Sequence, residues 1–125
     1  MIIGIGMDIV KVERMEAAIA RFGNHLKNRV FSPREQEYCD RHVMPGESYA
    51  ARFAVKEAVF KALGRGWTTC GGYTAVEVGR DETGKPEVIL HKKAAEFSEQ
   101  LGVSRIFVTI SHDAGISAAI AILEK

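Results

Sequence analysis

Arg52-Phe-Ala-Val-Lys-Glu-Ala-Val-Phe-Lys-Ala-Leu-Gly-Arg-Gly66, in the middle of the chain, reads as the body and end of a helix that starts near Ser48 and stops at Leu63. Tyr49, Phe53 and Phe60 form a bulky strip, while Ala51, Ala54, Ala58 and Ala62 leave small surfaces for close packing. An aromatic stripe at this spacing is core. Glu57 and Lys61 stand four positions apart and therefore share a face. Such a pair stabilises a helix by about 0.2–0.5 kcal/mol and is common on surfaces, so alone it carries no function. Lys61 also suits the negative end of the helix dipole. Gly64-Arg65-Gly66 is a helix C-cap by composition, with a second meaning only if its backbone meets a ligand.

A second carboxylate changes this reading. Asp8 interrupts an apolar, strand-like run, Met1-Ile-Ile-Gly-Ile-Gly-Met-Asp-Ile-Val10, whose glycines allow close backbone approach. An acid in such a run needs a partner or a metal. Asp8 and Glu57 could share a cation, with Lys61 and Arg52 beside them, which suits a metal-bound phosphate ligand. Arg52 has three open uses: pairing with Glu47, pairing with Glu57, or gripping a phosphate as a fork.

Val12, Met15, Ile19 and Phe22 recur at helical spacing, with Gly23 as the stop. Arg14 and Arg21 line up beside that stripe. Phe31-Ser-Pro-Arg-Glu35 starts another helix, with Ser32 as N-cap, Pro33 in first position and Glu35 closing a capping box. It runs to about Arg41, and Pro45-Gly46 breaks the chain. Strands are expected over Tyr73–Val78, Pro86–Leu90, Arg105–Ser111 and Ile116–Leu123, with a helix near Lys92–Leu101 and a turn at Asp81-Glu-Thr-Gly-Lys-Pro86. The last strand, from Gly115, is nearly apolar on both faces, so it is covered on both sides, and a subunit partner could supply one cover. The fold class is α+β: a mainly antiparallel sheet against helices, in one small oligomeric domain covering residues 1–125.

The chain has 125 residues, enough for one domain. Its net charge of +1 argues against a general nucleic-acid binder. The average hides a bias, because Ala17 to Arg34 holds Arg21, Lys27, Arg29 and Arg34 and no carboxylate. That stretch is either a solvated basic patch or a docking surface for an acidic partner. Cys39 and Cys70 lack metal or redox spacing and read as structural thiols. The apolar start has no basic flank, and no run has membrane-spanning length, so a cytoplasmic protein is expected. Ser111-His112-Asp113 is not a relay, because adjacent strand residues point to opposite faces. His112 is nonetheless placed for a ligand contact. His25, His42 and His91 read as surface residues.

Together these blocks resemble the 4′-phosphopantetheinyl transferase superfamily, in its small bacterial branch of holo-acyl-carrier-protein synthases. Gly6-Met-Asp8-Ile-Val-Lys-Val-Glu-Arg14, Phe31-Ser-Pro-Arg-Glu35 with Tyr38, and Arg52 to Ala62 with its glycines carry the likeness. Gly84-Lys-Pro86 and Ser111-His112 extend it from end to end. The resemblance implies transfer of 4′-phosphopantetheine from coenzyme A to a serine of apo acyl carrier protein, releasing adenosine 3′,5′-bisphosphate, in support of fatty acid biosynthesis. It implies Mg²⁺ on Asp8 and Glu57, and phosphates on Lys61 and Arg52. Gly64, Arg65, Gly66, Lys85, Pro86, Ser111 and His112 would line the coenzyme A cleft. Asp8, Glu57 and Lys61 would be the catalytic set, and a metal-positioned water or a carboxylate the base. Arg14 and Arg21, with Phe22 and Arg29, would dock the acidic carrier, and the enzyme would be a homotrimer with shared sites. Arg65 stands where the family often has a smaller residue, and Ile116 where many members have tyrosine. A non-catalytic coenzyme A or nucleotide-binding module is the alternative, and a metal-dependent phosphohydrolase a third reading. The carboxylate pair favours the transferase over the module, and the first-helix arginines favour it over the hydrolase.

Overall fold

A computed structural model describes residues 1–125. The chain runs β1 (Ile2–Lys11), α1 (Val12–Phe22), α2 (Asn24–Val30), α3 (Pro33–Arg41), α4 (Pro45–Leu63), α5 (Trp67–Cys70), a 3-10 turn (Tyr73–Ala75), β2 (Val76–Arg80), β3 (Pro86–Leu90), α6 (Lys92–Leu101), β4 (Arg105–Asp113) and β5 (Ile116–Glu124). Antiparallel strands β1, β5 and β4 form one sheet in that order, and β2 and β3 form a separate hairpin. The α+β expectation holds.

Helix α4 is the axis of the molecule, buried on most of its circumference. It lies flat on β1 and β5 because both partners are stripped of bulk at the contact. A Cβ on Gly6 would stand 1.8 Å from the Ala58 carbonyl oxygen, and one on Gly4 2.3 Å from that of Ala62. Only glycine on the strand and alanine on the helix permit this approach. The aromatic strip behaves as core: Tyr49 packs edge-on against Phe31 at 4.8 Å, and Phe53 and Phe60 converge on Tyr73.

Side-chain alternation splits the three-stranded sheet into unlike faces. One face, with Gly4, Gly6, Asp8 and Val10 opposite Leu123, Ala121, Ala119 and Ser117, meets α4. The other carries Ile5, Met7, Ile9, Phe107, Ile116 and Ile120, all substantially exposed. Within one chain β5 is therefore covered on a single face, not on both. A contiguous apolar face of this kind marks an interaction surface.

Ser32 caps α3 as expected, accepting from the Glu35 amide at 3.2 Å while Glu35 returns a 2.7 Å bond from the Ser32 amide. Glu35 does more than close the box. Its Oε1 also accepts from Lys56 Nζ at 2.9 Å, and its Oε2 from the Val78 amide at 2.9 Å. Lys56 donates in addition to the Tyr73 and Val76 carbonyls. Both side chains are fully buried, and this pair ties α3, α4 and β2 together.

Four local expectations need correction. Gly23 ends α1 in a left-handed turn at φ 58°, but the chain re-enters a helix at once and forms α2. Pro45-Gly46 does not break the chain ahead of α4, because proline in the first turn lacks only an amide that has no partner there. The strand expected from Tyr73 begins at Val76, since Tyr73–Ala75 form the 3-10 turn. Trp67–Cys70 coil into the short α5. Cys39 and Cys70 are free and buried, and burial pushes both thiols above their ordinary value, in keeping with a structural role.

Candidate active site

Lys61 does not pair with Glu57. Its Nζ reaches across to β1, donating to Asp8 Oδ1 at 3.1 Å and to the Met7 carbonyl at 2.9 Å. Asp8 is on the helix-facing side of the sheet, where the glycines beside it let α4 come close enough for this bond. Glu57, one turn earlier, faces Tyr73. Burial pushes the Tyr73 phenol far above its ordinary value, reinforced by its interaction with Glu57 and by the Glu57 and Asp8 charges. Both carboxylates thus act on one small region. Beyond it, Gly64 closes α4 at φ 73°, a left-handed conformation that suits glycine. Glu57, Phe60, Lys61, Gly64, Arg65, Gly66 and Trp67 line an open cleft of about 260 Å³. Arg65 turns out of it onto the Phe97 ring, 4.1 Å away.

A second cleft, of about 280 Å³, opens near the other end of α4. Arg52, Lys85, Pro86 and His112 line it, with Glu47 beside His112 at 3.3 Å. Arg52 and Lys61 are nine residues apart on one helix, roughly 13 Å at about 1.5 Å per residue.

A family model described as 4′-phosphopantetheinyl transferase superfamily matches residues 4–121. This chain belongs to that superfamily. It is 42% identical over 125 residues to the holo-[acyl-carrier-protein] synthase of Solibacter usitatus, covering all of both chains. It is 44% identical to that of Moorella thermoacetica, over 96% of this chain and 92% of the other. Among solved structures, the Neisseria meningitidis synthase superposes with a TM-score of 0.91 at 32% identity, covering all of both chains. The Helicobacter pylori synthase, solved in complex with coenzyme A, gives 0.84 at 30% identity, over 96% of this chain and 99% of that one.

Against this family background, the residues singled out from sequence divide into two groups. Asp8, Glu57, Lys61, Gly64, Arg65 and Gly66 gather at one end of α4, and Arg52, Lys85, Pro86 and His112 at the other. One chain does not bring them into a single cleft, which corrects the picture of Arg52 beside the carboxylates. Arg52 takes neither Glu47 nor Glu57. Its guanidinium is 3% exposed, lies 4.0 Å above the Tyr38 ring and donates to Ser48 Oγ at 3.1 Å, while Nε finds no partner. Ser111 lines neither cleft: opposite Ala118, it is on the sheet face turned away from α4. Arg14, Arg21, Phe22 and Arg29 are all exposed on α1 and α2, with Arg21 5.1 Å from the Phe22 ring. Lys27 is bound to Asp40 at 3.2 Å. His91 and His42 are more than surface residues. His91 meets Glu77 at 3.0 Å, and half-buried His42 lines the second cleft.

Tyr73, Trp67 and Lys56 escaped the sequence reading as site-related groups. Trp67 stacks on Tyr73 with centroids 5.2 Å apart, walling the region around Glu57. The signal for Lys56 was its place directly before Glu57, which turns it to a different side of α4. Tyr73 follows a Gly-Gly pair and gave no periodic cue at all.

Proposed function

We propose that this chain moves the 4′-phosphopantetheine group of coenzyme A onto a serine of an apo acyl carrier protein, leaving adenosine 3′,5′-bisphosphate and supporting fatty acid biosynthesis. The observation that carries the reading is the Asp8–Lys61 pair with Glu57 beside the Gly64–Gly66 loop, in a chain that matches holo-acyl-carrier-protein synthases over its full length. Coenzyme A is seen in the Helicobacter pylori relative, and the relatives' name supplies the carrier.

Asp8 and Glu57 fit Mg²⁺ by the chemistry of their donors. The ion prefers one or two carboxylates with water and phosphate oxygens around it, not an all-protein cage. No group of three His, Cys, Asp or Glu side chains gathers anywhere in the chain, so such a cage is absent. Bound there, the ion would neutralise charge on the pyrophosphate. Lys61, half-exposed and held from below by Asp8 and the Met7 carbonyl, presents its ammonium to the leaving phosphate and offsets charge as the bond breaks. The Gly64–Gly66 backbone leaves room for the ligand to approach.

The second cleft supplies cations for the rest of the coenzyme through Arg52, Lys85 and His112. Two half-sites at opposite ends of α4, together with an open apolar sheet face, support a homotrimer in which neighbouring chains complete each other's cleft. Ser111, on the open face, would then lie at the subunit boundary. Exposed Arg14, Arg21, Phe22 and Arg29 form a basic, partly apolar platform for an acidic carrier. No helix is long and apolar enough to cross a membrane, which accords with a cytoplasmic site of action.

The test is incubation with coenzyme A, Mg²⁺ and an apo carrier. One phosphopantetheine adduct per carrier, abolished by chelating the metal, is the expected result. No adduct across several carriers would overturn the reading.

A further inference from the structure

A cavity of about 700 Å³, larger than either cleft, lies between α3, the start of α4 and the β2–β3 hairpin. Its volume is that of a ligand pocket, which typically spans about 300–1,000 Å³. Four arginines line it: Arg34, Arg41, Arg52 and Arg80. Arg41 is neutralised by Glu37 one turn away. The other acid, Glu77, is engaged by the Ser32 hydroxyl at 2.7 Å and by His91 at 3.0 Å. Arg34, Arg52 and Arg80 have no carboxylate within ion-pairing distance.

Two of these cations are already fixed in place. Arg52 and Arg80 stand 4.0 and 4.9 Å from the Tyr38 ring, and Arg80 is anchored by the Gly84 carbonyl. Arg52 is almost fully buried with Nε unbonded, a costly state for a charged donor that an incoming acceptor would relieve. Planar guanidiniums held this way match the geometry of a phosphate. The remaining wall, Val43, Val78 and Ile89, is apolar.

We propose that this cavity is a second anion site that takes a phosphate ester, its phosphate gripped by Arg34, Arg52 and Arg80 and its organic part resting on the apolar wall. The site adjoins the cleft containing Lys85 and His112 and shares Arg52 and Arg80 with it, but Arg34 belongs to this cavity alone. The assignment does not depend on the transferase activity, which the carrier assay reads separately.

Arg34 is exposed in the first turn of α3, so its replacement spares the core. Adenosine 5′-monophosphate and inorganic phosphate are titrated calorimetrically into the full chain. Saturable binding of the monophosphate, tighter than that of inorganic phosphate, is expected. Arg34→Ala should weaken it about tenfold, the value of one lost charge-assisted contact, and leave the coenzyme A affinity within about twofold. His112→Ala should do the reverse. Arg34→Lys, which keeps the charge and loses the fork, should fall between wild type and Arg34→Ala. Four outcomes overturn the proposal: no saturable binding, equal affinity for inorganic phosphate, loss of binding in His112→Ala but not in Arg34→Ala, or equal losses of monophosphate and coenzyme A in Arg34→Ala.

Discussion

Helix α4 carries two lysines that each pair with a carboxylate, at nearly the same distance and in opposite environments. Lys56 meets Glu35 at 2.9 Å with neither side chain exposed, whereas Lys61 meets Asp8 at 3.1 Å with its side chain 53% exposed. Five residues separate them, about 140° around the helix, so one points into the core and the other to the rim. The buried pair spends every hydrogen bond inside the protein: Glu35 takes two backbone amides, and Lys56 gives to two carbonyls. The open pair keeps a free Asp8 oxygen and a mobile ammonium, which a phosphate and a cation can claim. Equal distance says nothing about role. Solvent access and spare valence decide it.

Substitutions that disturb one pair without the other break this comparison most directly. Asp8→Asn, or Glu57→Gln beside it, should cut carrier modification by about a thousandfold, the scale of losing a charge-stabilising group in a reaction centre. Stability in urea should change by less than about 1 kcal/mol, because the open pair is solvent-screened. Near-normal turnover in either variant would remove the metal-ligand assignment. Lys56→Met should instead lower unfolding free energy by about 3–5 kcal/mol, since it leaves the Glu35 charge buried and alone. Adding Glu35→Gln to Lys56→Met should restore part of that loss. A double variant no more stable than Lys56→Met would show that the charge itself is not the cost.

Smaller effects sharpen the same contrast. Ser32→Ala removes both the α3 cap and a bond to Glu77, and should cost about 1–2 kcal/mol in denaturant titrations. On the surface, Arg21→Glu should raise the apparent KM for carrier about fivefold and leave that for coenzyme A unchanged. Equal changes for both substrates would count against docking on α1. Least in size is a pH effect. Glu77 is held below its ordinary value near 4.5, chiefly by the Ser32 hydroxyl and also by His91. A depressed folded value means the contribution is present at neutral pH and lost as pH falls through that folded value. The stability gap between wild type and Glu77→Gln should therefore narrow in acid. A gap that widened would reverse the sign of this assignment.

Much of this was legible from residue order because it rests on local rules. Ser32, Pro33 and Glu35 announce the start of α3 through backbone amides only a few residues away. The helix containing Glu57 and Lys61 and the strand containing Asp8 follow from periodicity, and their likeness to a family made the carboxylates a site. Gly23 shows where local rules stop: it ended one helix as expected, yet nothing nearby signalled that α2 would follow. Pro45 was read as a break, although the same proline is compatible with a first helical turn.

Sequence by itself determined the elements, the family and the candidate residues, because capping, side-chain period and motif spacing act within a few residues. Tertiary structure decided which of those residues meet. Gly4 and Gly6 let α4 settle onto the sheet, and that approach turns Lys61 to Asp8 instead of Glu57. The same packing sets Arg52 and Lys61 roughly 13 Å apart, into different clefts, because a rigid helix fixes the distance between its own side chains. It also turned Glu35, in sequence only a capping residue, into the buried partner of Lys56. Contacts of this kind depend on where distant segments come to rest.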